Sequence, residues 1–386
     1  MTAMTDQTSP ATTTTNPIFG PNKLKLGIFG LNGKGTANTL VPEVHTPSWD
    51  RVERAAAQAD SAGLEAIVAY ARWKGHQVGN LEHPSGVILD PYTWAAAICQ
   101  ATSHSAVFAT SHAPTVHPLL AAKMSATIDI ISAGRFGLNV VAGWNRPELE
   151  MFGAPLKEHD ERYQHLNEWL EIVTRLWTEN DEFDYTGEFF TILKGGSRPR
   201  PTQRPRPPIM AAGSSPVGRD FALRNADMCF VGLMSNDPED WRKQVESYKD
   251  AARSQYGREV QVWIMSSIIQ RDTNAEAEAY LKRVAVDNAD HESIQAWITE
   301  RSINAHTMPQ ASREAMMLRV AAAAGGTLLV GDADKITDEL AVLADVGVDG
   351  LLMGYVDFED GLSRLTNAIL PRLEDRGLRQ PFRRNR

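Results

Sequence analysis

An apolar stretch near the middle of the chain ends in polar side chains that could bind a ligand. Residues 139–153 read NVVAGWNRPELEMFG, in which Asn139 and two valines are followed by a glycine, Trp144 and Glu148. A side-chain amide offers both a hydrogen-bond donor and an acceptor, and a carboxylate can accept hydrogen bonds or move a proton. These residue types suit a pocket that holds a polar organic molecule against an aromatic wall.

Further groups able to do chemistry stand at the ends of other apolar stretches. Tyr70 ends LEAIVAY with Arg72 just beyond it, and AVFATSH ends in Thr110 and His112. Ser215 follows IMAAGS, immediately before a predicted helix. A helix N terminus bordered by serines can bind an anion, although such a serine can equally cap the helix itself, and both interpretations stay open. The set predicts a pocket for a phosphorylated organic cofactor that no motif identifies.

The glycine-rich segment GLNGKGT does not meet the requirements of a nucleotide phosphate loop. That loop needs four residues between its first glycine and Gly-Lys-Ser/Thr. Five residues separate Gly27 from Gly33, and Lys34 is followed by Gly35 rather than by a hydroxyl residue. The dinucleotide pattern G-x-G-x-x-G fails as well, so we expect a flexible strand-to-helix loop here.

The sequence shows no pattern typical of a metal site or of a nucleophilic cysteine. His112 and His117 are five residues apart, which does not match the i, i+4 pair of a helical zinc site. Cys99 and Cys229 lie in apolar segments and are expected to be reduced core thiols. We therefore predict no metal.

The elements that must position these residues alternate between strand and helix patterns. Eight apolar strands, each separated from the next by a predicted helix, favour a parallel sheet because parallel strands need crossover connections. Eight such units predict an α/β fold, a (β/α)8 TIM barrel with insertions, with an open doubly wound sheet as the alternative. The predicted strands are 23–30, 64–70, 105–111, 135–141, 209–213, 228–234, 260–270 and 348–356.

The chain divides into one large domain with short flanking segments. Residues 1–22 are rich in Thr, Ser, Asn and Pro and predict a flexible arm. Residues 23–375 predict the single barrel, with insertions near 179–207 and 287–325, and residues 376–386 a basic, solvated tail. The first insertion contains a predicted hairpin followed by a Pro-rich connection.

Charge and hydropathy exclude two classes of partner. The net charge is −9 and the isoelectric point is near 5.6, whereas nucleic-acid-binding proteins usually carry a basic field. No apolar run approaches the roughly 18 residues that a membrane span requires. We expect a cytoplasmic protein that acts on a small molecule, with no nucleic-acid and no membrane partner.

Longer segments carry a resemblance to a known family. They are MSATIDIISAGRFGLNVVAGW, RPELEMFG, EHDERYQHLNEWLEIVTRLW, YTGEFF, RPRPPIMAAGSS and GVDGLLMGYVDFEDGLSRL. Together they resemble the bacterial luciferase-like flavin monooxygenases, and most closely the branch of pyrimidine monooxygenase and dimethylsulfone monooxygenase. The resemblance spans residues 23–375. It weakens in the loop after the first strand and in residues 287–325, which we expect to cover the substrate side.

The resemblance implies a barrel that uses reduced FMN and O2, with the flavin supplied by a separate NAD(P)H:flavin reductase, and that assembles as a homodimer or homotetramer. It implies catalytic roles for Thr110 and Asn139 in oxygen activation. It leaves Tyr70, His112 and Trp144 to the substrate pocket. The implied FMN contacts are Ala71, Arg72, Asn139, Glu148, Arg162, Tyr163 and Ser215.

The implied reaction is a two-component monooxygenation that cleaves a C–N bond of a small nitrogen heterocycle or amide, or a C–S bond of an organosulfur compound. Two alternatives remain at the level of sequence. A deazaflavin-dependent oxidoreductase would transfer hydride on the same barrel without oxygen. A flavin-binding accessory subunit would bind FMN without turnover, and the intact Thr110 and Asn139 argue against it.

Overall fold

A closed barrel of eight parallel strands forms the centre of the molecule. The computed structural model describes residues 16–233, 235–300 and 310–383. The barrel order is β1–β2–β3–β4–β7–β8–β9–β11, and β11 pairs with β1 to close it. The predicted TIM barrel is confirmed, and the closure rules out the open sheet. The strands are β1 Lys25–Phe29, β2 Ala66–Val68, β3 Ala106–His112, β4 Phe136–Val141, β5 Phe183–Thr186, β6 Thr191–Gly195, β7 Ile209–Ala212, β8 Met228–Val231, β9 Gln261–Gln270, β10 Thr327–Gly331 and β11 Gly350–Gly354.

Helices surround the barrel, and none within the described ranges is long and apolar enough to span a bilayer. The apolar stripe of α5 is buried as its helical spacing predicts, with Leu166, Trp169 and Val173 at most 1% exposed. The helices are α1 Trp49–Ser61, α2 Pro91–Ala101, α3 Pro118–Ile131, α4 Arg146–Met151, α5 His159–Thr178, α6 Pro216–Asn225, α7 Pro238–Tyr256, α8 Asn274–Lys282, α9 His291–Glu300, α10 Gln310–Ala323, α11 Ala333–Asp345, α12 Phe358–Arg364 and α13 Leu370–Asp375.

The N-terminal arm is only partly as expected. Residues 1–15 lie outside the described residues, but Pro17–Phe19 form a short 3-10 helix capped by the Asn16 side chain. Ile18 is fully buried among the side chains that fill the barrel, including Phe108 and Trp263. The expectation of flexibility is therefore wrong for residues 16–19, because an apolar side chain inside the barrel anchors them.

The basic tail also differs from the prediction of a solvated segment. Arg379 and Glu65 form an ion pair at 2.8 Å in which each side chain is 3% exposed. The same guanidinium donates to the carbonyls of Leu24 and Gly63, at 3.2 and 2.9 Å. These hydrogen bonds compensate the desolvation of the charge, so the tail is fastened against the barrel as far as Arg379.

Both insertions contain secondary structure within the described residues. β5 and β6 form the expected antiparallel hairpin in the first. The second contains α9 and α10, and one strand just after it was missed: β10 pairs with the C-terminal half of β9, on the edge whose first half pairs with β8. Gly325 and Gly326 separate its sequence TLLVG from the Ala-rich helix, but the strand is only five residues long and was counted neither as a strand nor as part of the insertion.

The buried ion pair gives a stability prediction. Arg379→Met leaves the Glu65 carboxylate buried without its cation, and we expect the free energy of unfolding to fall by about 3–5 kcal/mol. Arg376→Met is the matched control, because its partner Asp338 is 68% exposed and the loss should stay below about 1 kcal/mol. Urea unfolding of wild type and both variants measures these losses in free energy of unfolding. Equal losses would show that the tail pair is not the stabilising contact.

Candidate active site

Two neighbouring strands place an amide and a hydroxyl inside the carboxyl end of the barrel. The register of β3 and β4 puts Thr110 directly opposite Asn139, and both side chains are at least 95% buried. The Thr110 hydroxyl donates to the carbonyl of Ala69 at 2.6 Å, so it can only accept from the Asn139 amide nitrogen, 2.8 Å away. This fixes the orientation of the amide.

The fixed orientation leaves one acceptor unused. The Asn139 Oδ1 atom is buried and has no hydrogen-bond partner among the described residues. Buried polar atoms are rarely left unpaired, because desolvation without a hydrogen bond costs about 1–3 kcal/mol. The barrel mouth therefore presents an acceptor suited to a bound ligand.

A second group of side chains meets at the N terminus of α6. Ser215 caps that helix by accepting from the Gly218 N–H at 3.1 Å, so the capping interpretation is confirmed. Burial raises the pKa of Tyr163 and a hydrogen bond with the Ser215 hydroxyl opposes that shift, so the serine and the phenol lie together at this helix end. The Tyr163 hydroxyl packs against Gly218, where a Cβ would lie 2.4 Å from the phenol oxygen. Glycine is thus required for the tyrosine to approach the helix end.

Arg162 joins this group to the end of β4. Its Nη1 donates to the carbonyl of Gly143 at 2.8 Å, and Gly143 has a φ of +84°, a conformation that glycine adopts without strain. The Arg162 Nε atom is buried and has no partner within the described parts of the chain. A cation, a phenol and a helix N terminus here form a set of anion-binding groups.

Glu148 occupies a third side of the mouth. It is 1% exposed, and its Oε1 accepts from the backbone N–H groups of Trp73 and Lys74 at 2.9 and 3.3 Å. Its Oε2 lies 3.6 Å from the His112 Nδ1. Burial raises the pKa of Glu148, and burial, followed by the charge of Arg72, lowers the pKa of His112 to about 4. The imidazole of His112 is therefore neutral at neutral pH, so this contact is not a salt bridge there.

Arg72 extends from the β2 end toward the same mouth, directly after the half-buried Ala71. Its Nη1 is 2.7 Å from the His76 Nε2, and its guanidinium carbon lies 5.7 Å from the centre of the Trp144 ring. The His76 Nδ1 in turn lies 3.2 Å from a Glu300 carboxylate oxygen. Sequence reasoning missed His76 and Glu300, because 224 residues separate them and only the fold brings them together.

A groove of about 840 Å³ opens beside this chain of side chains. Trp144 forms one wall of this groove and α9 from the second insertion forms the other. A contact of Trp144 with substrate stays a prediction. The expectation that this insertion lies over the mouth agrees with its position. The groove is lined by His76, Val78, Trp144, Asn145, Arg146, Pro147, Leu156, His291, Glu292, Gln295, Ala296, Thr299 and Glu300.

Tyr70 packs against the loop that follows β1. A Cβ on Gly33 would lie 2.0 Å from the Tyr70 hydroxyl oxygen, and the Asn32 side chain hydrogen-bonds both the N–H and the carbonyl of Tyr70. Asn32 and Lys34 are at least 95% buried. The loop is therefore packed rather than flexible, and its glycines make room for the tyrosine ring. A contact of Tyr70 with substrate stays a prediction.

The sequence model of the luciferase-like monooxygenases matches residues 24–350, which is most of the chain and the whole of the region that builds this mouth. The chain belongs to the luciferase-like monooxygenase family. The resemblance seen in the sequence is confirmed.

Individual members agree over nearly the full length. The chain is 30% identical to the FMNH2-dependent dimethylsulfone monooxygenase of Pseudomonas putida, over 84% of this chain and 88% of that protein. It is 30% identical to the pyrimidine monooxygenase RutA of Enterobacter cloacae, over 92% and 97%. The crystal structure of a riboflavin lyase with modified FMN and riboflavin superimposes with a TM-score of 0.81 at 22% identity, over 93% of each chain, which supports the shared fold.

The shifted pKa of His112 predicts an acid-dependent loss of stability. An unfolded histidine titrates near ~6.5, so stability from the neutral buried ring is complete above that pH and is lost as the pH falls toward about 4. Between pH 7 and 5, wild type should lose about 2 kcal/mol more free energy of unfolding than His112→Leu in urea titrations. From pH 7 to 8 the two should change alike. Parallel curves below pH 7 would contradict the assignment.

Proposed function

We propose that this protein is a two-component monooxygenase that cleaves a C–N bond of a small nitrogen heterocycle or amide, or a C–S bond of an organosulfur compound. The reaction class follows from the family: the chain is an oxidoreductase that uses reduced FMN and O2. The observation that carries the proposal is the unpaired, buried Asn139 Oδ1 beside Thr110, in a mouth that also holds anion-binding groups.

The residues present fit reduced FMN. Its phosphate suits Arg162, Tyr163 and Ser215, because a cation, a phenol and the N-terminal N–H groups of α6 converge there and the Arg162 Nε still needs an acceptor. Its ring system suits the space between the β2 end at Ala71 and the β4 end at Asn139. Bound reduced FMN supplies the electrons that activate O2.

The protein's own residues orient and shield the reacting groups. Thr110 holds the Asn139 amide so that Oδ1 faces the mouth rather than the strand. Glu148 fastens the segment after β2 through two backbone N–H groups, which keeps Ala71 and Arg72 in place. Burial of these groups excludes water, and a dry site strengthens each hydrogen bond to a ligand.

The proposal extends to partners and location. A separate NAD(P)H:flavin reductase supplies reduced FMN, and the protein acts in the cytoplasm as a homodimer or homotetramer. The FMNH2-dependent relative supports the first point, since a protein that consumes reduced flavin needs a source of it.

Deazaflavin-dependent hydride transfer is the second candidate. An anaerobic titration with reduced FMN and, separately, with reduced deazaflavin, followed by rapid mixing with O2, distinguishes the two. We expect tight binding of reduced FMN and an oxygen-dependent change in its absorbance. Binding of deazaflavin alone, without a reaction with oxygen, would overturn the monooxygenase proposal.

A substitution of Asn139 tests directly whether Thr110 and Asn139 take part in oxygen activation. Asn139→Ala should fold normally and still oxidise reduced FMN, but product formation should fall by about 100-fold or more, on the scale of one lost hydrogen-bonding group at a reacting centre. Product is measured by mass spectrometry on a panel of heterocycles, amides and sulfones. Ser111→Ala is the matched control, because the adjacent strand position faces the opposite side of the sheet. If the Asn139 variant forms as much product as wild type, the catalytic role of Asn139 is wrong.

The anion-binding group gives a prediction on affinity. Arg162→Ala combined with Ser215→Ala should weaken binding of reduced FMN by about 2–4 kcal/mol, because two hydrogen bonds to a charged group are lost. Arg224→Ala is the control, since that arginine pairs with Asp220 on the exposed part of α6. Anaerobic fluorescence titration measures the dissociation constants. An unchanged constant would mean that the phosphate binds elsewhere.

A further inference from the structure

Three side chains form a continuous hydrogen-bonded chain from α9 to the barrel mouth. Arg72 Nη1 lies 2.7 Å from His76 Nε2, and His76 Nδ1 lies 3.3 and 3.2 Å from the two Glu300 oxygens. His76 is 9% exposed and the Glu300 side chain 18%. Neither His76 nor Glu300 is among the residues that the family resemblance implies or that we propose to bind FMN.

The chemistry of the three groups fixes the position of the protons. Guanidinium can only donate, so His76 Nε2 must be the acceptor and its single ring proton must be on Nδ1. That proton is then donated to the Glu300 carboxylate. In metal sites a carboxylate often orients a histidine that binds the metal. Here the Glu300 carboxylate orients His76 in the same way, and His76 holds the Arg72 guanidinium in one orientation.

Arg72, which the resemblance implies as an FMN contact, lies in that direction beside a groove that a substrate could enter. Its guanidinium is over the Trp144 ring, and both Trp144 and His76 line the groove beneath α9. His76 is the only hydrogen-bond partner of the guanidinium within the described residues, so further N–H donors remain for a ligand. A planar donor beside an aromatic ring suits an oxygen acceptor on a small molecule.

The charges around Arg72 decide which acceptor is favoured. Glu300 already compensates the guanidinium through His76, and the buried Glu148 carboxyl lies on its other side, where Arg72 acts on its pKa. Lys34, the other buried cation nearby, is balanced by Asp290. An anionic substrate would add a negative charge beside two carboxyl groups, whereas a neutral carbonyl or sulfonyl oxygen would not.

We propose that His76 and Glu300 are positioning residues that hold Arg72 to bind the carbonyl or sulfonyl oxygen of a neutral substrate and that disfavour anionic ones. This deepens the proposed function and depends on it for the reaction. The hydrogen bond from Arg72 draws electron density from the atom that carries the oxygen, which makes that atom more electrophilic.

The test compares neutral probes with anionic counterparts. Uracil and dimethylsulfone are paired with orotate and methanesulfonate, and their dissociation constants are measured by calorimetry with and without reduced FMN under anaerobic conditions. Wild type should bind the neutral member of each pair at least about tenfold more tightly. Arg72→Met should weaken neutral binding by about 10- to 100-fold. Anions that bind wild type as well as neutral probes do would overturn the proposal.

Variants of the two positioning residues separate this role from a merely structural one. His76→Leu should weaken neutral binding by about five- to tenfold, whereas His76→Gln should restore it to within about twofold because an amide can both accept and donate. Glu300→Gln should improve anion binding by on the order of tenfold, since Arg72 loses its compensating charge. If the chain only fastened α9, Glu300→Gln would leave the neutral-to-anion ratio unchanged.

The two proposals fail in different ways. Lack of reduced FMN binding by wild type would refute the proposed function, and the selectivity for neutral probes measured without flavin would still report on Arg72. Normal FMN binding together with a neutral-to-anion ratio that none of the three residues alters would refute the positioning role alone.

Discussion

The register between β3 and β4 is the constraint on which the candidate site depends. It sets Thr110 opposite Asn139, and the Thr110 hydroxyl is already committed to the Ala69 carbonyl, so the amide can point only one way. A slip of either strand by one residue would turn its side chain out of the barrel. The closed parallel sheet prevents that slip, because each strand is paired on both sides. The barrel thus fixes the direction of the buried Asn139 Oδ1 acceptor.

The mouth buries polar groups by keeping its histidines neutral or by pairing side chains with backbone donors. Burial lowers the pKa of both His76 and His112 to about 4 and raises that of Glu148. Neutral groups cost far less to bury than charges do. Buried atoms without a partner among the described residues, such as Asn139 Oδ1 and Arg162 Nε, lower stability unless a ligand pairs them. Such local costs are typical of functional sites.

Two loop regions, in which we expect the chain to differ from its relatives, meet over this mouth. The segment after β1 and the insertion between β9 and β10 hydrogen-bond to each other, with Asp290 N–H donating to the Asn38 carbonyl and the Asn38 side chain donating to the Val320 carbonyl. Two segments that are far apart in the chain therefore build one cover on the barrel. Variation in substrate then follows from loops carried on a constant scaffold.

The sequence by itself determined the barrel, the eight barrel strands and most of the helices, because hydrophobic period and the alternation of strand and helix are local properties. It also indicated Thr110, Asn139, Glu148, Arg162, Tyr163 and Ser215 through family motifs, although their roles remain proposals. Only the tertiary structure decided that Arg379 is buried against Glu65, that Ile18 enters the barrel, and that Glu300 reaches His76 and through it Arg72. Those contacts join residues far apart in the chain, and no local pattern encodes which distant partner a charged side chain will meet when the barrel closes.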